Sequence, residues 1–217
     1  MASYKFMLPS LSRMRAGGIR VRTYAPYVSP GGICCTLPTN FSALGPPIED
    51  KIEPYVNCEI DSGADACQKP NGLYSDQPCL DDCFGSAFSD FAALFTGQVL
   101  IPADGNYTFG VISDDASGLH GIHQHWGLPC LLPGTRLFID GKKVIENDGP
   151  KATLFEATSQ PIPLSRGWHP VRLLFGQGPD HFNVNLRWSG PGIPDQTIPN
   201  FYLTPLCCGP LPIPPGV

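Results

Sequence analysis

Two aspartates, Asp114 and Asp115, stand side by side at the end of an alternating apolar segment, in the run Gly105-Asn-Tyr-Thr-Phe-Gly-Val-Ile-Ser-Asp-Asp-Ala-Ser. Neighbouring side chains of an extended strand point to opposite faces, so two such carboxylates do not normally converge. A cis peptide between them would bring both to one side, at about 3–4 kcal/mol for a non-proline bond, and persists only where something stabilises it. A bound cation is one stabiliser. The alternative use of the pair is to close a strand end by hydrogen bonding to nearby backbone amides. Further along stand His120, His123, His125 and Cys130. These residue types ligate zinc or copper, or stand as solvated side chains of a surface loop. Trp126, in the same stretch, offers a ring on which a pyranose can stack. No Ser-His-Asp order, phosphate-binding loop, dinucleotide fingerprint or HExxH is found in the chain. Catalysis is not expected.

The frame that must position these residues is β-rich. Among 217 residues there are 24 glycines and 25 prolines, and only 15% are charged. Glycine and proline interrupt helices, and the charged i,i+4 pairs that decorate them are scarce. A hydrophobic fraction of 42% excludes general disorder. A net charge of −5 argues against nucleic acid as a partner, and no apolar run reaches the ~20 residues of a membrane helix. Residues 19–24, 95–101, 107–112, 135–139, 143–145, 152–157, 160–164, 171–175 and 184–188 read as short strands. Ala103-Asp104-Gly105-Asn106 and Asp140-Gly141 read as hairpin turns. Residues 25–90 read as irregular. The expectation is an all-β antiparallel sandwich over 19–208, with a flexible basic arm at 1–18, an insertion at 119–135 and a proline-rich tail at 209–217.

Nine cysteines, at 34, 35, 58, 67, 79, 83, 130, 207 and 208, point to an oxidising compartment. None of them forms the tight C-x2-C knuckle that structural zinc favours. Asn40-Phe-Ser and Asn106-Tyr-Thr are N-glycosylation sequons. The expected location is extracellular or at the cell surface, although residues 1–22 lack the continuous apolar stretch of a standard signal peptide.

Four ordered segments together resemble the protective-antigen-type (PA-fourteen) domain: the Gly105 run above, Arg136-Leu-Phe-Ile-Asp-Gly-Lys-Lys-Val-Ile, Ile162-Pro-Leu-Ser-Arg-Gly-Trp-His-Pro-Val-Arg, and Asn185-Leu-Arg-Trp-Ser-Gly-Pro-Gly. The resemblance implies a β-sandwich, with Trp168 and Trp188 as packing residues. Its adhesin branch implies a cis Asp114–Asp115 pair holding Ca2+, a cation that takes six to eight hard oxygens. A second loop, mapped to Gly176-Gln-Gly-Pro-Asp-His-Phe-Asn, would contribute Gln177 or Asp180. Vicinal glycan hydroxyls would fill the remaining positions, with Trp126 and His181 beside them. The same branch implies that Cys34 and Cys35 pair with Cys207 and Cys208. Cys58, Cys67, Cys79 and Cys83 would then pair among themselves, leaving Cys130 single. Two readings stay open: a calcium-dependent carbohydrate-binding domain, and a structural module docking other chains of a larger assembly.

Overall fold

The computed structural model describes residues 17–24, 37, 40–60, 80, 83–84, 91–114, 134–147, 155–177 and 182–205. Within them the alternating segments form two antiparallel sheets, with 3₁₀ turns at Phe41–Leu44 and Asn200–Tyr202 beside them. The first sheet runs β2 (Glu49–Glu53), β1 (Ile19–Tyr24), β4 (Phe91–Ile101), β10 (Gly167–Gln177), β6 (Gly134–Ile139), β7 (Lys142–Asn147), and β13 (Leu203–Thr204) adds to β4. The second runs β12 (Ile193–Thr197), β11 (Phe182–Gly190), β5 (Gly105–Asp114), β8 (Phe155–Thr158), with β3 (Asn57–Ile60) on β11 and β9 (Ile162–Leu164) on β5.

The period-2 pattern decides which residues meet between the sheets. Phe91, Ala93 and Phe95 of β4, with Val171, Leu173 and Phe175 of β10, face Tyr107, Phe109 and Val111 of β5 and Val184, Leu186 and Trp188 of β11, all in one buried cluster. Each large side chain so buried contributes about 1.5–3 kcal/mol. Phe84 enters this cluster between strands, with ring centroids 4.7 Å from Phe91 and 4.8 Å from Phe182. It is held there by the adjacent Cys58–Cys83 disulfide, which ties residues 83–84 to β3. A smaller core lies on the outer face of the first sheet, where Leu37 and Phe41 cover Tyr24, Ala92, Leu94 and Leu174.

The sandwich is the expected architecture, and all nine strands read from the sequence are present. Three local readings are corrected. The turn at 103–106 does not close a hairpin: β4 pairs with β1, β10 and β13, while β5 pairs with β11, β8 and β9, so the chain crosses there from one sheet to the other. The length of β4 explains this, since a strand flanked on both edges has no place for β5. Residues 25–90 are not irregular throughout, because β2 and β3 lie within them. Trp188 is fully buried, but Trp168 is only half-buried and stands on the alternate parity of β10, facing away from the main core. The Asp140-Gly141 hairpin holds: φ is 51° at Asp140 and 75° at Gly141, the paired positive values of a type I′ turn.

Candidate functional site

Register places one set of strand ends together. Asp114, the last residue of β5, lies opposite Asn183 near the start of β11, and Phe182 lies opposite Ile60 at the end of β3. In the other sheet Gln177 ends β10 opposite Phe91, Gly134 starts β6 opposite Gly176, and Asn147 ends β7 opposite Thr135. The four residues between Gln177 and Phe182 join the two sheets at this same end. Across the gap the Asn147 side-chain amide donates to the Ser113 hydroxyl at 3.5 Å. Segments 115–133, 148–154 and 178–181 therefore all depart from one end of the sandwich.

The described side chains here are polar and buried: Ser113, Thr135, Asn147, Gln177 and Asn183 are each no more than 6% exposed. Gln177 shares its strand parity with Val171, Leu173 and Phe175, so it sits on the inner face below the strand ends. Asn183 starts a buried polar row on the outer face of β11. There Asn185 donates to Asn57 Oδ1 at 2.6 Å and accepts from the Thr197 hydroxyl at 3.1 Å. Arg187 donates from Nε and Nη2 to the two oxygens of Asp195, at 3.2 and 3.1 Å. These bonds fix β3 and β12 one after the other along the edge of β11 opposite β5, and so hold the strand whose register sets Asn183 against Asp114. Asn57, Ser113, Thr135, Asn147, Asn183, Asn185 and Thr197 were not among the residues singled out from the sequence.

The opposite end is closed by turns. The Arg166 backbone amide donates to Asp104 Oδ1 at 2.6 Å, and the Tyr107 hydroxyl donates to the Ala103 carbonyl at 2.9 Å. Burial pushes the Tyr107 phenol above its ordinary pKa. Both nitrogens of His169 are engaged, Nδ1 with Asp140 Oδ2 at 2.7 Å and Nε2 with the Ser165 carbonyl at 2.8 Å.

Of the sequence candidates, Asp114 and Gln177 come to the same end of the sandwich on facing sheets. Asp115, Trp126, Asp180, His181 and the His-rich insertion lie outside the described residues, as do Cys34, Cys35, Cys67, Cys79, Cys130, Cys207 and Cys208. Cys58 and Cys83, two of the central four, are bonded to each other. Asn40 caps the first 3₁₀ turn by accepting from the Ser42 amide at 3.1 Å, and Asn106 is exposed on β5. Among the described residues no three His, Cys, Asp or Glu side chains gather. The described polar side chains at the site end are hydroxyls and amides, whose oxygens are of the hard type that calcium takes.

A family model for the PA14 domain matches residues 80–123, which span Cys83, β4, β5 and the Asp114-Asp115 pair. No curated protein matches the sequence. Among solved structures, a PA14 sugar-binding domain from an RTX adhesin is 18% identical with a TM-score of 0.56, covering 88% of this chain and 99% of that one. The epithelial adhesin 9 A domain from Candida glabrata, solved with Galb1-4GlcNAc, is 13% identical with a TM-score of 0.51, covering 87% and 89%. An anti-sigma factor domain-containing protein from Clostridium clariflavum is 20% identical with a TM-score of 0.56, covering 94% of this chain and 52% of its own. The chain thus spans about half the length of that protein. Residues 80–123 match the PA14 domain in sequence, and the described residues as a whole have the PA14 fold.

Proposed function

We propose that this chain is a non-catalytic, calcium-dependent carbohydrate-binding domain of a secreted or cell-surface protein, taking its glycan at the end of the sandwich where Asp114 lies. The observation that carries the reading is the register: the end of β5, the start of β11 and the end of β10 meet there. The two segments bearing the remaining candidate ligands, Asp115 and Asp180, leave from those strand ends. Asp114 and Asp115, with Gln177 or Asp180, would hold the ion, whose open coordination positions would take vicinal glycan hydroxyls. The chain's own part is to bring carboxylates from one sheet beside the exit of the other, on a base of buried amides that cannot yield to solvent. Trp126 would supply a stacking face and His181 a polar contact. The sugar-binding and adhesin domains that share the fold support the glycan as ligand. The disulfide supports an oxidising compartment.

The test is calorimetric titration of calcium into chelator-treated protein, followed by a glycan array with and without calcium, for the wild type and for Asp115→Ala. The reading expects calcium heat, glycan signals that vanish with chelator, and loss of both in the variant. Absence of calcium heat together with a blank array overturns it and leaves a protein-docking module.

A further inference from the structure

The sequon Asn106-Tyr107-Thr108 opens β5 at the end of the sandwich opposite the mouth. Tyr107 faces the core, so Asn106 and Thr108, one residue to either side, share the outer face of the second sheet. Asn106 is exposed, and among the described residues nothing hydrogen-bonds its side chain. On one side its ladder partner is Pro163 of β9, which is exposed as well. On the other side the β5–β11 register stops at Thr108, opposite Ser189. In the second sequon, by contrast, Asn40 Oδ1 is already engaged by the Ser42 backbone amide.

We propose that Asn106 carries an N-linked glycan, added while β5 is still unpaired; this rests on the secretory route of the proposed function and on neither calcium nor sugar binding. The Asn106 amide nitrogen attacks the anomeric carbon of an oligosaccharide carried on a polyprenyl diphosphate. The N–C bond forms, the C–O bond to the diphosphate breaks, the lipid diphosphate leaves with the electron pair, and the proton of the nitrogen goes to a base of the transferase. In the folded chain this step is closed. Tyr107 is fully buried with its hydroxyl bonded to the Ala103 carbonyl and its backbone paired with Ile162, which holds the sequon extended and unable to bend into a transferase. During synthesis neither partner strand exists yet. Pro163 lies 57 residues beyond Asn106, and Ser189 lies 81 residues beyond Thr108. At about 5–20 residues per second, Thr108 waits about 4–16 s for its partner. Once attached, the glycan breaks no bond of the fold, because the Asn106 side chain faces water and makes none. Directly opposed side chains stand about 4.5–5.5 Å apart, so the first sugar lies against the apolar ring of Pro163. Asn106 and Asp114 are eight residues apart on one strand, roughly 26 Å, which keeps the glycan clear of the mouth.

The experiment secretes the full chain from a eukaryotic host behind an added, cleavable signal sequence. Ser42→Ala silences the other sequon and keeps its turn, since the cap uses the Ser42 backbone amide. Intact mass is read before and after peptide-N-glycosidase treatment in ¹⁸O water, which marks the modified asparagine as labelled aspartate. The expected result is a glycan mass with the label at Asn106, lost in Thr108→Val and kept in Thr108→Ser. The glycosylated chain should melt no lower than the same chain from a bacterial periplasm, and Pro163→Ser should remove any gain. Solubilised transferase with its lipid-linked donor should modify the unfolded bacterial chain and leave the folded one untouched. A secreted chain without the label at Asn106, a glycosylated chain that melts lower, or equal modification of the folded chain would overturn the proposal. None of these readouts involves calcium or a bound sugar, so a glycosylated chain without calcium heat counts against the proposed function alone.

Discussion

Asn183 stands directly opposite Asp114 in the register of the β5–β11 ladder, at the mouth of the sandwich. Directly opposed like charges on an antiparallel pair are destabilising, by a few tenths to about 1 kcal/mol. Asn183→Asp places a second acid against Asp114. It should therefore lower the melting temperature in chelator and enlarge the stabilisation that calcium confers, since ligand binding to the folded state adds its own free energy. Differential scanning fluorimetry with and without calcium reads both. A variant that melts like the wild type in chelator would show that the two positions do not interact.

The Cys58–Cys83 bridge closes a loop with a sequence separation of 25 and pins Phe84 among four aromatic rings. Chain-entropy arithmetic for a loop of that length predicts about 3.5 kcal/mol of stabilisation. Cys58→Ala with Cys83→Ala, both buried positions that tolerate a small apolar side chain, should lower the guanidinium midpoint by a corresponding amount. An unchanged midpoint would mean that β3 and residues 83–84 stay docked through packing alone.

How much of this was legible follows from which residues repeat. The inward Val184, Leu186 and Trp188 announce β11 through their period, and its inner face was readable. The alternates Asn183, Asn185 and Arg187 look like solvent-facing positions, yet each is at most 5% exposed. The burial of Asn185 and Arg187 depends on bonds to Asn57, Thr197 and Asp195, partners 8 to 128 residues away, and no local pattern encodes such pairings. β2 was hidden for a related reason: Glu49-Asp-Lys-Ile-Glu is an edge strand, and edges carry charge rather than an apolar alternation. The Asp114-Asp115 motif was visible as chemistry. That Gln177 would end at the same mouth on the facing sheet was visible only through the motif order, because periodicity says nothing about which strand ends meet.

The Trp-Ser-Gly-Pro-Gly turn after β11 has a steric reason at its first glycine. A Cβ at Gly190 would lie 2.4 Å from two carbons of the Tyr107 ring, which itself stacks on Trp188 with centroids 5.8 Å apart. Tyr107 is pinned by its bond to Ala103 and cannot swing away. Gly190→Ala should therefore cost about 1–3 kcal/mol, the usual range for overpacking a full core. Combining it with Tyr107→Leu should cost less than the sum of the two single changes, a coupling that chemical denaturation of the four proteins measures. Strict additivity would sink the steric account.

Acid sensitivity should be traceable to one carboxylate on β2. Hydrogen bonding from the Arg20 guanidinium, reinforced by its charge and by Arg22, holds the Asp50 carboxyl below its ordinary value of 3.8. A carboxylate whose pKa is depressed on folding stabilises the fold above its unfolded pKa and loses that contribution as pH falls through the folded one. The pair is about a third exposed, so solvent screening limits its worth to about 1 kcal/mol or less. Asp50→Asn should therefore be less stable than the wild type by a constant margin at neutral and mildly acidic pH. The margin should shrink as pH drops below 3.8, where the wild-type carboxylate takes up its proton. Urea denaturation of both proteins from pH 7 to pH 2.5 measures the difference. A margin that stays constant to the lowest pH, or that grows, would place the stabilising contact of Asp50 somewhere other than the Arg20 fork.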